Sequence, residues 1–419
     1  MSEWKKYKLS EIYTMSSGIS SSKSQAGQGS PFLSFSTVFN NYFIPENLKD
    51  LMLTTKKEQE RFSIIEGDVF LTRTSETLDE LALSSVALNN YPFATFSGFL
   101  KRLRPINKIK VYPKFIAFYL RSSYFRKTII NHTTMTLRAS FNESMFSYLE
   151  VYLPDYDEQV RIGDFLYKLN QKIALNNQIN EELEAMAKTL YDYWFVQFDF
   201  PDENGKAYKS SGGKMVYNDQ LKREIPEGWG VDSLWNIATF YNGLAMQKFR
   251  PASETDESLP VIKIREMFSG FSKDTEKAST AIPKEAIIEA GDILFSWSAT
   301  LEVILWGGEK GALNQHIFKV TSEKYPKSFI YNELRSYLKV FKTIAELRKT
   351  TMGHITQEHL KQAMIIIPPN DLIDEIHNRI SLILKQQLDL KQQNQELTQL
   401  RDWLLPMLMN GQVKVEDKT

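Results

Sequence analysis

The sequence predicts a mixed α/β protein: two duplicated globular domains and two long helices, related by an internal pseudo-two-fold. The first observation behind this is a repeat. Trp4, Leu9, Ile12, Thr14, Gly18 and Lys23 recur in register as Trp229, Leu234, Ile237, Thr239, Gly243 and Lys248. Further matches come in order: Pro31-Phe32-Leu33 with Pro260-Val261-Ile262, Glu66-Gly67-Asp68-Val69 with Ala290-Gly291-Asp292-Ile293, Tyr112-Pro113-Lys114 with Tyr325-Pro326-Lys327, and Leu153-Pro154 with Ile367-Pro368. Ordered matches over two halves of about two hundred residues indicate a duplicated domain, not a short-period solenoid. Two like halves on one chain behave as a homodimer on one polypeptide, so a ligand read by both should itself have two parts.

The second observation is the pattern inside each half. Phe32-Leu33-Ser34-Phe35 and Val261-Ile262-Lys263-Ile264 read as strands. Asp68-Val69-Phe70-Leu71 and Asp292-Ile293-Leu294-Phe295 read as strands launched by a Gly-Asp turn. The segments after Tyr112-Pro113 and Tyr325-Pro326 read as helices with proline in the first turn. A last strand, Leu149–Leu153 or Met364–Ile367, then runs into proline.

The third observation is the change of period after each proline. Ile162, Leu166, Leu169, Ile173, Asn176, Asn180, Leu183, Ala187, Leu190 and Trp194 alternate by four and three. So do Ile376, Ile380, Ile383, Gln387, Leu390, Asn394, Leu397, Arg401, Leu404 and Leu408. This is a sustained coiled-coil seam. Helices of about forty residues would be about 60 Å long. Asn180 and Asn394 fall at equivalent seam positions, where a polar residue costs stability but fixes register.

These elements divide the chain into a first domain (1–154), a first long helix (155–196), a linker (197–225), a second domain (226–368), a second long helix (369–410) and a tail (411–419). The linker stretch from Pro201 to Pro226 is rich in Gly, Ser, Lys and Asn and reads as surface. Its Ser210-Ser211-Gly212-Gly213-Lys214 fails the phosphate-loop spacing.

Composition is that of an ordinary globular protein, 42% hydrophobic and 24% charged. There is no cysteine, which suits a cytoplasmic protein and excludes thiol chemistry. The lysines of MSEWKKYKLS precede no apolar run, so no signal peptide is expected, and no segment approaches membrane-spanning length.

Net charge is zero, but it is unevenly spread. From Leu81 to Asn142 there is no Asp or Glu, while Lys101, Arg102, Arg104, Lys108, Lys110, Lys114, Arg121, Arg126, Lys127 and Arg138 are interleaved with aromatics including Phe99, Tyr112 and Phe115. A unipolar basic face attracts nucleic acid and releases its counterions. A solvated basic face over an aromatic core is the other reading.

Catalytic signatures are incomplete throughout. Ile367-Pro368-Pro369-Asn370 lacks the flanks of a base-flipping methyltransferase motif. Pro201-Asp202 and Glu416-Asp417-Lys418 lie off any expected strand, unlike a metal-dependent nuclease site. His354 and His359 are five apart, not the four that would share a helix face as metal ligands. The sequence argues for a binding protein without cofactor or metal.

With these features together, the chain resembles the specificity (S) subunits of type I restriction-modification systems. Leu153-Pro154-Asp155-Tyr156-Asp157-Glu158-Gln159 and Ile225-Pro226-Glu227-Gly228-Trp229 carry the resemblance, while Asp371-Leu372-Ile373-Asp374-Glu375 lacks the Glu-Gln pair. The resemblance implies two target-recognition domains held apart by an antiparallel helix pair, each reading half of a bipartite double-stranded DNA target. It implies no activity alone, two modification (methyltransferase) subunits as partners, and restriction subunits that translocate and cut using ATP. Candidate DNA contacts are polar loop residues past the matched strands: Arg73, Thr74, Ser75, Lys101, Arg102, Arg138, Ser140 and Asn142 in the first domain. In the second they are Trp297, Ser298, Asn314, Gln315, His316, Arg348, Lys349, His354 and Gln357. Arg pairs with guanine and Asn or Gln with adenine, whereas lysine more often positions on phosphate. Trp297 is also a core candidate, and Asn314-Gln315-His316 a turn cap. Two other classes stay open on sequence alone: a coiled-coil scaffold with only non-specific DNA affinity, and a fused enzyme with a degenerate catalytic domain.

Overall fold

Each half of the chain builds the same four-stranded antiparallel sheet. A computed structural model describes residues 4–20, 23–75, 80–131, 139–253, 255–347 and 354–416. It divides into one unit of residues 1–172 with 397–419 and another of 173–396.

In the first unit the sheet runs Tyr13–Ser17, Leu100–Pro105, Val69–Thr72, Ser84–Val86. In the second it runs Thr239–Asn242, Ile317–Thr321, Ile293–Ser296, Glu302–Leu305. A smaller sheet around Ala26–Leu33 in the first unit is matched by one around Ser258–Ile262 in the second. The two-stranded pair Lys5–Lys8 with Glu150–Leu153 has its counterpart in Gly230–Ser233 with Met364–Ile367. No helix among the described residues is long and apolar enough to cross a membrane.

The repeated Gly-Asp pairs have a local cause. Gly67 and Gly291 both sit at φ +86°, a left-handed conformation that favours glycine. The aspartate next in the chain caps its own turn, accepting from Ile65 N at 3.0 Å or Glu289 N at 2.9 Å. It also holds a cation from the adjacent strand: Arg104 on Asp68 through two bonds of 2.8 and 2.6 Å, Lys319 on Asp292 at 2.9 Å. The expected strand at Phe32–Phe35 starts and ends earlier than the sequence suggests. Ala26–Leu33 stops at Ser34, whose hydroxyl caps the helix Phe35–Asn40, and Ser258–Ile262 likewise gives way to the helix Ile264–Ser269. The apolar run continues, but a cap residue inside it switches the period.

The helix Pro113–Arg121 buries Phe115, Ile116, Phe118, Tyr119 and Leu120 in the core of the first unit. Its counterpart Lys327–Leu347 buries Phe329, Ile330, Leu334 and Phe341 in the second.

The two long helices are Tyr156–Tyr191 and Asn370–Met409. The first is capped by Asp155, which accepts from Glu158 N at 2.8 Å. Gln159 is only 2% exposed; it donates to Pro154 O at 3.0 Å and accepts from Tyr112 N at 3.0 Å. The second copy of this corner places Ile373, also 2% exposed, at the matching position, so an apolar contact replaces the amide.

Within the second unit the helices meet through amides. Asn176, fully buried, donates to Asn394 Oδ1 at 2.9 Å, and Asn394 donates to Asn177 Oδ1 at 2.7 Å and Ile173 O at 3.3 Å. Gln387 donates to Asn180 O at 3.1 Å. Residue numbers rise on one segment as they fall on the other, so these segments are antiparallel. The seam amide of the first helix is therefore Asn176 more than Asn180, which contributes its backbone carbonyl.

Beyond Tyr191 the chain widens into a π-turn, Asp192–Val196, and then packs aromatics rather than running loose. Phe200 stacks on Tyr208 at 4.7 Å and lies 5.0 Å from Trp229, while Met215–Asn218 pairs with Arg223–Pro226. Tyr191 donates its hydroxyl to Glu333 at 2.5 Å. Desolvation pushes the Glu333 carboxyl up to about 7, against the opposing pull of that hydroxyl and of Arg223. An acid whose pKa is raised on folding favours the folded state while protonated. That contribution is complete below the unfolded value of about 4.3 and is lost as pH rises through about 7. Stability should accordingly fall by roughly 3 kcal/mol between pH 4.5 and 8 from this group alone. Urea midpoints of Glu333→Gln should lack that part of the slope; an identical slope in both proteins would exclude Glu333 as its source.

Candidate nucleic-acid interface

The same backbone cluster is built at one end of each sheet. In the first unit, Arg73 comes directly after the Val69–Thr72 strand; its N–H donates to Phe99 O at 2.8 Å, and its carbonyl accepts from Phe141 N at 2.8 Å. In the second, Trp297 comes directly after the Ile293–Ser296 strand; its N–H donates to His316 O at 3.3 Å, and its carbonyl accepts from Ile355 N at 2.8 Å. Arg73 and Trp297 are thus structural equivalents, as are Phe99 and His316, and Ser140 and His354.

A repeated glycine permits this geometry. Gly18 lies so close to the turn that a Cβ there would be 2.3 Å from Phe96 O, and a Cβ on Gly243 would be 2.2 Å from Asn314 O. The neighbouring chain then clamps each turn: Ile19 N to Phe96 O at 2.9 Å and Gly98 N to Ile19 O at 2.7 Å, then Gly243 N to Ile317 O at 3.0 Å and Leu244 N to Leu313 O at 2.9 Å.

The second cluster gathers most of the residues expected there. The Trp297 ring lies 5.5 Å from His316 and 6.5 Å from His354, and its indole N–H donates to Asn242 Oδ1 at 2.9 Å. Gln315 and His316 form the turn, with Nε2 atoms 3.4 Å apart. His316, His354 and Gln357 are exposed, whereas Asn314 and Ser298 are buried and Trp297 is intermediate. Arg348 and Lys349 lie outside the described residues, as does Arg138.

The first cluster requires corrections. Arg73 is exposed, Thr74 and Ser140 are half-buried, and residues 74–75 pair with 139–140 as a short ladder. Ser75 is 8% exposed and donates to Glu80 at 3.2 Å. Asn142 spends its side-chain oxygen as a helix cap, accepting from Met145 N at 3.0 Å. Lys101 and Arg102 are each 8% exposed and are not surface contacts. Lys101 donates to Ser17 Oγ at 2.9 Å and pairs with Glu143 at 3.7 Å. Arg102 donates to Ser63 O at 2.6 Å and stacks over Phe96 at 5.2 Å; burial lowers its pKa.

The acid-free stretch therefore does not form the unipolar face its composition suggests. Arg104 binds Asp68 and Lys114 binds Asp164 at 2.7 Å. Arg121 donates to the carbonyls of Ser84, Val38, Phe39 and Asn41, and burial lowers its pKa to about 10. Arg126 donates to Leu81 O at 2.5 Å. These cations tie loops to the core through carboxylates and carbonyls from elsewhere in the chain. Lys108, Lys110 and Lys127 remain exposed.

Phe99 is the residue that sequence reasoning passes over as one of several interleaved aromatics. It is 66% exposed at the turn tip, and the Arg73 guanidinium donates to the adjacent Gly98 O at 3.4 Å. Its signal lies in the Ser97-Gly98-Phe99 turn between two strands, matched by Asn314-Gln315-His316. Among the described residues no three His, Asp or Glu side chains converge as metal ligands.

Two like sheets, each presenting one loop cluster, define a protein with paired recognition domains. The family described as the type I restriction modification DNA specificity domain matches residues 1–185 and again 226–399. The chain belongs to this family of type I restriction-modification specificity proteins and carries the domain twice. It is 25% identical to the HindI specificity subunit of Haemophilus influenzae, over 99% of this chain and all of that one. It is 24% identical to the MjaIX specificity subunit of Methanocaldococcus jannaschii, over 79% of this chain and 76% of that one. In fold it is similar to the S subunit of a type I system from M. genitalium, with TM-score 0.56, 14% identity and 99% and 97% of the two chains covered.

Proposed function

We propose that each domain reads one half of a bipartite duplex DNA target, and that the two long helices fix the gap between halves. The domains are 1–154 and 226–368, joined through helices 155–196 and 369–410, the linker 197–225 and the tail 411–419. The helices pair as an antiparallel coiled coil with pseudo-two-fold symmetry, its register set by Asn176, Asn180, Gln387 and Asn394. The chain itself is non-catalytic. It presents the target to two modification subunits, which supply methyl transfer, and to restriction subunits, which use ATP; it works in the cytoplasm and needs no cofactor of its own.

The observation that carries this reading is the repeated cluster. Arg73 and Trp297 occupy one backbone position with different side chains. A shared frame with unlike reading groups suits a target whose halves differ. Base edges in the major groove offer distinct donor and acceptor patterns to such groups.

Replacing residues 1–153 by the same region of another family member should change one half of the methylated motif and leave the other half intact. Sequencing methylated bases in a host expressing the complex reads this directly. A change in both halves, or in neither, would overturn the modular reading.

A further inference from the structure

Phe99 is an apolar ring at the end of a rigid support. A lone exposed phenylalanine on a protein surface needs no explanation. This one differs in three respects. Its turn is held by backbone bonds between Ile19 and both Phe96 and Gly98 and by Arg73 N on Phe99 O, and a side chain on Gly98 would approach Ile19 O to 2.9 Å, so the tip has little freedom to fold back. It occupies the backbone position that His316 fills in the other domain. And it stands beside an exposed guanidinium, Arg73, which reaches the neighbouring carbonyl.

Exposed arginine and exposed phenylalanine on one preorganised tip match two adjacent features of the major groove. Arginine pairs bidentately with guanine O6 and N7, and an apolar side chain packs on the 5-methyl of thymine. Rigid placement is what such contacts require, because a loosely held group recovers little of the energy. We infer that Phe99 is a specificity-determining residue that packs on a thymine methyl in the half-target of the first domain, next to a guanine read by Arg73. His316, at the same place in the second domain, offers ring nitrogens instead, so the second half is read there by hydrogen bonding.

The inference rests on the two-half reading and adds to it the chemistry of one contact. The test is a uracil scan. Uracil differs from thymine only by that methyl, and the first half-target is identified beforehand by the domain replacement. DNA affinity is measured for the full-length chain in its methyltransferase complex, with each thymine of that half replaced in turn.

Wild type should lose about fourfold in affinity at one thymine, the worth of one buried methyl-sized group. Phe99→Ala should bind the thymine and uracil duplexes equally, and Phe99→Leu should recover part of the difference. Phe99 is exposed, so both variants should fold. Their circular dichroism is compared with wild type. Equal losses in wild type and Phe99→Ala, no loss at any uracil, or a half-target with no thymine on either strand would each overturn the proposal. So would a uniform weakening of all sequences by Phe99→Ala. These outcomes leave the two-half reading standing. Absence of any defined methylated motif in wild type would instead overturn that reading, and this proposal with it.

Discussion

Replacing Arg102 by glutamate should unfold the first domain at a denaturant concentration far below the wild-type midpoint. Arg102 donates to Ser63 O and lies over the Phe96 ring, with 8% of its surface exposed. A carboxylate there cannot donate to a carbonyl, and it meets the negative face of the ring instead of offering it a cation. Breaking a buried charged contact of this kind costs roughly 3–5 kcal/mol, against a total stability of about 5–15 kcal/mol. Lys110→Glu, at an exposed position, should stay within about 0.5 kcal/mol of wild type. Urea denaturation monitored by tryptophan fluorescence separates the two. If Arg102→Glu kept the wild-type midpoint and merely weakened DNA binding, the side chain would belong to the interface and its structural role would be wrong. Charge alone favours that outcome; the hydrogen bonds favour unfolding.

Inserting four residues between Asn176 and Asn180 should lengthen the gap between half-targets by about one or two base pairs, with both halves unchanged. Four residues add about 6 Å of helix and rotate the downstream segment by about 40°. Base pairs stack about 3.4 Å apart along each strand. The amides of Asn176 and Asn394, and the Gln387 amide with the Asn180 backbone carbonyl, would no longer pair in the same register. A strained register should also lower thermal stability. The same insertion near Gln197 is a useful comparison. The chain after that point is anchored by Phe198, Phe200, Tyr208 and Trp229, so it has less slack than its Gly- and Ser-rich composition suggests. A folded, active variant with the seam insertion whose methylated motif keeps the original gap would eliminate the helices as a ruler.

The architecture was legible where short-range rules act. Gly-Asp turns, proline before each helix and a three-four apolar period are local signals, and each long helix begins beside its proline. The candidate site was legible only in part. Trp297 lies just past a matched strand, and the fold brings His316 and His354, from a turn before a strand and from beyond a helix, beside its ring. Lys101 and Arg102 obey the same logic but face inward, because alternation along Leu100–Pro105 is overridden where both faces of the strand are covered. Charge composition misled for a related reason. The partners of Arg104 and Lys114, Asp68 and Asp164, lie outside the acid-free stretch, and Arg121 is satisfied by carbonyls that leave no trace in composition. Asn142 shows the limit of residue-type reasoning, since the same amide that could read adenine is spent on a helix cap.

The clamp at Gly18 and Gly243 has an evolutionary consequence. Each tip is fixed by main-chain bonds and by a glycine that lies outside it, so the frame places little demand on the exposed side chains of Phe99 and His316. Mutations at Phe99 or His316 are then nearly free of folding cost, as exposed positions generally are. A lineage could exchange the side chains displayed at such points by a few substitutions, in one domain at a time, while inheriting the scaffold intact. A glycine packed against the turn thus separates the persistence of the fold from change in the side chains that its tips display.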